Sequence, residues 1–189
     1  MTSTQEILSD LAKKKKGALQ HYALLYRNEE EFLAGALPLL RMGIEAGDAT
    51  FAVTAGRETA ALREALGDDA SAVQFIDAKE HYRNPVRALA AFSAVAKTLG
   101  SRPAWLVLAD DWSTHPDVVE WARYDSIVNQ IFAEQAFRGF CCYNLQHVPQ
   151  DVIDLVRQTH HMVHEGYELK ENPQYTDPES FVAEIDRQP

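Results

Sequence analysis

Residues 104–109, Ala-Trp-Leu-Val-Leu-Ala, form an unbroken apolar run. The run is too short for a membrane span and lacks the polar alternation of a half-solvated strand. A run of this kind reads as a strand covered on both faces, which places it in a sheet with helices on either side. Further strand-length apolar runs lie at 21–26, 50–54, 73–76 and 139–143, and each is followed by a segment of helical period. Asn28 with Glu31 has capping-box spacing, and Phe32, Leu33, Ala36, Leu37, Leu40 and Ile44 then recur every three or four residues until Gly47-Asp48 ends the helix. Helices are predicted over 57–66, from Pro85 to a stop at Gly100, from Pro116 through about Ala136, and from Pro149 to about His164. Strands alternating with helices of crossover length specify an α/β fold: three layers, a mainly parallel sheet with helices on both faces. Residues 1–18 read as a polar lead-in helix, 19–164 as the α/β domain, and 165–189, with Pro173 and Pro178, as an arm packed on it that ends in a short helix near 178–185.

Charge narrows the function. Eighteen basic against 28 acidic residues give a net charge of −10, which opposes the clustered Lys and Arg that nucleic-acid binding needs. The one basic run, Lys13-Lys14-Lys15-Lys16, reads as a solvated face. Cys141 and Cys142 are adjacent, cannot staple distant segments, and read as small hydrophobes in a reducing compartment. No apolar stretch approaches 18 residues and no signal-peptide core follows Met1, so a cytoplasmic location without membrane contact is expected.

Open α/β sheets bind ligands beyond the carboxyl ends of their strands. Those ends carry Tyr26 and Arg27, Thr54, Asp77, the Asp110-Asp111-Trp112 group, and Tyr143 with Asn144. The turn after the first strand, Tyr26-Arg27-Asn28-Glu29-Glu30, has no phosphate loop, and Glu29, Glu30 and Glu31 would repel a nucleotide; no G-x-G-x-x-G occurs either. Asp110-Asp111 resembles the acidic strand end that holds magnesium in P-loop enzymes, but without the loop it supports no hydrolysis by itself. Asp125 interrupts the apolar stripe Val118, Trp121, Ala122, Val128, Phe132, with Asn129 one turn on. A buried carboxylate needs a partner, whether a backbone amide, an arginine or a ligand. His160 and His164, spaced i, i+4 with His161 between them, could present two imidazoles to one zinc, and Cys141, Cys142 and His147 occur earlier. Neither H-E-x-x-H nor C-x-x-C is present, and histidines at a helix C-terminus suit its dipole equally well, so no metal ligand is assigned. No G-x-S-x-G occurs, and Ser113 and Ser126 have no recognisable base.

Residues 21–32, His-Tyr-Ala-Leu-Leu-Tyr-Arg-Asn-Glu-Glu-Glu-Phe, followed by Gly43-Ile44-Glu45-Ala46-Gly47-Asp48, resemble the opening of the MEDS (methanogen/methylotroph dichloromethane-regulator sensory) domain. The later runs 121–129 and 140–144, then Val148-Pro149, Thr159-His160 and Asn172-Pro173-Gln174-Tyr175, match that family's second half in order. Asp125 stands where the family usually has Glu, His161 where Pro is frequent, and Asn144 where Asp is usual. The resemblance implies a degenerate RecA-like fold without its phosphate loop. It also implies a sensory role towards small molecules such as hydrocarbon derivatives, alongside transcription regulators, histidine kinases or anti-sigma regulators. The expectation is a non-catalytic sensor, able to form a homodimer, that signals through such a partner and makes no direct nucleic-acid contact; no cofactor is assigned. Its expected ligand-binding residues are His21, Tyr26, Arg27, Asp110, Trp112, Tyr124, Asp125, Tyr143 and His160. Aromatics would supply apolar contact there, while Arg27, His160 and the carboxylates orient a polar group. Two other readings stay open: a metal-dependent hydrolase using Asp110, Asp111 and His160, and a pure protein-interaction module in a partner-switching system.

Overall fold

Successive side chains of a strand point to opposite faces, so strands apolar throughout must be covered twice. The computed structural model describes residues 18–112, 115 and 117–187 and shows that double covering. In chain order the elements are β1 (Gln20–Tyr26), α1 (Glu29–Ala46), β2 (Ala49–Thr54), α2 (Gly56–Leu66), a 3-10 turn (Gly67–Ala72), β3 (Gln74–Asp77) and α3 (Ala78–His81). Then follow α4 (Pro85–Leu99), β4 (Ala104–Ala109), α5 (Val118–Ile131), β5 (Phe137–Asn144), α6 (Gln150–Thr159), β6 (Met162–Glu165), β7 (Glu168–Glu171) and α7 (Pro178–Ile185). The strands form one sheet in the order β3-β2-β4-β5-β1-β6-β7. All neighbours run parallel except the β6–β7 hairpin. The α/β, mainly parallel, three-layer fold expected from the sequence is therefore the fold observed.

Ala23 and Leu25 of β1 enter one apolar cluster with Cys141 and Tyr143 of β5, beneath α4, α5 and α6. Tyr22, Leu24 and Tyr26 enter the other, with Phe140 and Cys142, beneath α1 and α2. The Gly-x-x-x-Gly-Asp ending of α1 has a steric cause. A Cβ on Gly43 would stand 2.6 Å from Thr50 Oγ1 and 2.7 Å from Trp105 Cγ, so a glycine is what lets α1 lie this close to β2 and β4. Gly47 closes the helix at φ 67°, in the left-handed region, and Asp48 Oδ2 accepts the Trp105 indole N–H at 2.9 Å. At the other end Asn28 Oδ1 accepts the Glu31 amide, while Glu31 Oε2 reaches back to the Arg27 amide rather than to that of Asn28.

Several boundaries differ from expectation. The helix after Pro149 stops at Thr159, and the residues read as its last turn begin β6. The arm contributes β7 to the sheet before its terminal helix, α7, which packs on α5 through Phe181, Ile185 and Ala122. α5 ends at Ile131, short of Ala136, and is capped by Asp117, whose Oδ1 accepts the Glu120 amide. The lead-in at 2–16, its lysine run, Ser113 and Pro116 lie outside the described residues. Among the described residues no helix is long and apolar enough to cross a membrane.

Candidate functional site

Register brings Ala23 of β1 opposite Cys141 of β5. His21, two residues earlier, shares that face and points beneath α5. Above it, α5 presents Asp125 and Asn129 one turn apart, and the end of α6 supplies His160. All four of His21, Asp125, Cys141 and His160 are buried, and one ligand-type atom from each lies within 4.8 Å of the others. His21 Nε2 sits 3.0 Å from Cys141 Sγ, and its Nδ1 sits 3.0 Å from Asn129 Oδ1. Asn129 Nδ2 donates to the Thr159 carbonyl at 2.8 Å, which turns Oδ1 towards the imidazole and leaves the proton on His21 Nδ1. His160 Nδ1 faces the Val156 carbonyl at 2.9 Å, so it too carries the proton, while His160 Nε2 is buried without a hydrogen-bond partner among the described residues. The Tyr143 hydroxyl donates to Asp125 Oδ2 at 3.3 Å.

Burial sets the charge state. It holds the His21 imidazole down at about 4, only partly opposed by the Asn129 hydrogen bond, and holds His160 well below its ordinary value. Burial also lifts Asp125 to about 7, against the Tyr143 hydrogen bond, and raises the Cys141 thiol well above the usual range. Near neutrality the cluster is thus two neutral imidazoles, a thiol and a carboxyl close to its own midpoint. His21, Asp125 and Cys141 also border an apolar cavity of about 40 Å³ walled by Phe92, Leu106, Leu108, Phe132 and Phe137. Trp112 closes one side of it, and its indole N–H has no hydrogen-bond partner among the described residues.

A second, larger crevice of about 230 Å³ lies at the carboxyl ends of the strands, lined by Tyr26, Glu58, Lys79, Asp110, Asp111 and Asn144, with Trp112 again in its wall. There the Tyr26 hydroxyl donates to Glu58 Oε1 at 3.0 Å, and Asp110 Oδ2 lies 2.9 Å from His115 Nε2.

The nine expected site residues therefore divide. His21, Tyr124, Asp125, Tyr143 and His160 come together inside the domain, Tyr26 and Asp110 face the crevice, and Trp112 belongs to both. His21 and His160 stand towards the amino ends of β1 and β6, not at the carboxyl ends, because α6 runs back across the sheet before β6 begins. Arg27 lines neither space; half exposed, it bridges Glu31 and Glu165 at 3.6 and 3.4 Å. His160 does not line the crevice that Asp110 and Asp111 face, so the hydrolase trio is not assembled. The zinc set built on helical spacing also dissolves. His164 lies in β6 against Phe140 on the α1 side, Cys142 faces that same side, and His147 is exposed.

The sequence reads Cys141 as a small hydrophobe and leaves it out of the site, and gives no sign that Asn129 orients His21. Alternation within the β5 run already separated Cys141 from Cys142, but pairing of β5 with β1 was not readable. Asn172 acts on the backbone: buried beside α6, it donates from Nδ2 to the carbonyls of Arg157 and His160 and fixes the chain where His160 sits.

A doubly covered parallel sheet with an acidic turn in place of a phosphate loop, and a polar cluster sealed beneath one helix layer, defines an α/β domain outside the P-loop nucleotide binders. Residues 20–161 match the family model MEDS, the methanogen/methylotroph, DcmR sensory domain, and the chain belongs to that family. Membership in a sensory family suggests a sensory or signalling role. The chain matches no curated protein and no solved structure.

Proposed function

We propose that the chain is a non-catalytic sensory domain that takes a small hydrocarbon derivative into the cavity beneath α5 and passes the signal to a protein partner, of the histidine-kinase, anti-sigma or transcription-regulator kind. The observation that carries this reading is the cavity itself, with walls of Phe92, Leu106, Leu108, Phe132 and Phe137 and polar groups gathered on one side. Its volume of about 40 Å³ is roughly three times the ~10–15 Å³ that one water needs, which suits a ligand of about three heavy atoms. The Trp112 N–H, unpartnered among the described residues, and the Asp125 carboxyl supply the few orienting polar groups usual in small-molecule sites. The family's name, which refers to methylotrophs, agrees with a ligand of one or two carbons.

Titration of the isotope-labelled chain with dichloromethane, and separately with methanol, tests the reading by amide and indole NMR shifts. The expected result is saturable shifts at Gly139, Cys141 and the Trp112 indole, abolished by Leu106→Phe, which fills the cavity. Shifts centred on Asp110 and Asp111, or shifts indifferent to Leu106→Phe, would overturn it.

A further inference from the structure

Two imidazoles, a thiol and a carboxylate converging in a dry interior are a costly arrangement for a core to hold without an occupant. Ala23 and Leu25 fill the same layer with apolar side chains. The geometry points to a resident divalent metal ion: we propose that His21 Nε2, His160 Nε2, Cys141 Sγ and a carboxylate oxygen of Asp125 bind Zn²⁺. This inference concerns the cluster alone and does not rest on uptake of a small molecule.

Three observations support it. First, the donor set is right for zinc, which takes imidazole nitrogen, thiolate sulfur and carboxylate oxygen in a tetrahedron. Tetrahedral ligands at ordinary zinc distances stand about 3.3–3.6 Å apart. His21 Nε2 and Cys141 Sγ at 3.0 Å need to separate by about half an ångström, and since one ligand-type atom of each residue lies within 4.8 Å of the others, the set as a whole needs to close by about 1 Å. Shifts of this size are of the order that small side-chain rotations produce.

Second, both imidazoles are already set in the tautomer a metal requires. Asn129 Oδ1 holds the proton on His21 Nδ1, and the Val156 carbonyl holds the proton on His160 Nδ1, so each ring turns an Nε2 lone pair inward. A metal-bound histidine characteristically donates its other N–H to a carbonyl, amide or carboxylate oxygen, and both do so here. Asn129 is fixed in turn by the Thr159 carbonyl, and the backbone at His160 by Asn172. Third, His160 Nε2 is fully buried with no hydrogen-bond partner, an arrangement that an ion satisfies and that nothing else among the described residues does.

Binding requires the Cys141 proton, and the proton on Asp125 where it is held, to leave for solvent, so the S–Zn and O–Zn bonds replace S–H and O–H and affinity falls as the medium becomes more acidic. The ligands come from β1, α5, β5 and the α6–β6 junction, so an ion would tie the helix layer to the sheet.

The test uses the whole chain, stripped with chelator and titrated with Co²⁺ and then Zn²⁺. One equivalent of cobalt is expected to give a thiolate-to-metal charge-transfer band with the intense visible bands of a tetrahedral ion, and zinc is expected to displace it. Cys141→Ser removes the charge-transfer band, and Cys142→Ser and His147→Gln leave it unchanged. Asn129→Ala, a positioning substitution, retains the band but weakens binding by about 10- to 100-fold. Should Cys141→Ser prove too unstable to assay, X-ray absorption of the zinc-loaded wild type decides, with one sulfur among four ligands expected. Absence of the charge-transfer band and of sulfur from the wild-type spectrum would overturn the proposal, as would binding that survives in both Cys141→Ser and His160→Gln. Either failure leaves the cavity reading to stand or fall on its own titration.

Discussion

Asp125→Asn is expected to stabilise the metal-free chain, increasingly so as pH rises. In the unfolded chain the carboxyl loses its proton near 3.8; in the folded chain burial raises that to about 7. Between those values the native state keeps a proton that the unfolded state has released, so stability falls as pH climbs through the window. The shift of about three units corresponds to about 4 kcal/mol when fully developed above pH 7. At pH 5 only the first part has been lost, about 1.5–2 kcal/mol, so about 2.5 kcal/mol separates pH 5 from pH 8. Asparagine has the same shape, keeps an oxygen for the Tyr143 hydroxyl, and does not titrate. Urea unfolding of both proteins in chelator at pH 5 and pH 8 therefore should show the advantage of the variant widening by about 2.5 kcal/mol at the higher pH. An advantage that stays constant, or that shrinks with rising pH, would show that the carboxyl is not held in a dry interior and would refute the account of the cluster.

Two other perturbations follow from the packing. Gly43→Ala places a methyl against Thr50 and Trp105 and is expected to cost about 1–3 kcal/mol, read as a lower thermal midpoint and a changed environment for the Trp105 indole; an unchanged midpoint would show that α1 does not need its close approach. His164, buried against Phe140 and held at about 4 instead of 6.5, is neutral when folded. Its contribution is present above pH 6.5 and lost as pH falls towards 4, so His164→Leu should lose up to about 3 kcal/mol less than wild type over that interval in denaturant titrations. Equal acid sensitivity of the two would contradict it.

What the sequence disclosed was local periodicity. The strands at 21–26 and 104–109, the cap at Asn28 and the glycine stop at Gly47 all follow from patterns spanning a few residues, and the structure reproduces them. The end of α6 was misread because Thr159-His160-His161 continues a helical pattern of polar residues, while the break depends on Asn172 gripping carbonyls from beyond the hairpin. The site was harder still. Asp125 stood out because it interrupts an apolar stripe, and His21 through the family resemblance. Their meeting with Cys141 depends on β5 lying beside β1, a pairing between residues more than a hundred positions apart that no local signal encodes. The carboxyl-end rule points to the crevice, where Tyr26 and Asp110 do lie, and not to the interior beneath α5.

The place of β1 in the sheet bears on how the chain is made. Its neighbours are β5 and β6, so the first strand of this sheet waits for the last parallel one. At ~5–20 residues per second, the roughly 120 residues made between β1 and the end of β5 leave both edges of β1 unpaired for about 6 to 24 s. During that interval β2, β3 and β4 can already assemble among themselves, since each finds a partner nearby in the chain. β1, buried on both faces in the finished sheet, is then an unpaired strand with two open edges, and the step that admits it between β5 and β6 joins the two halves of the sheet.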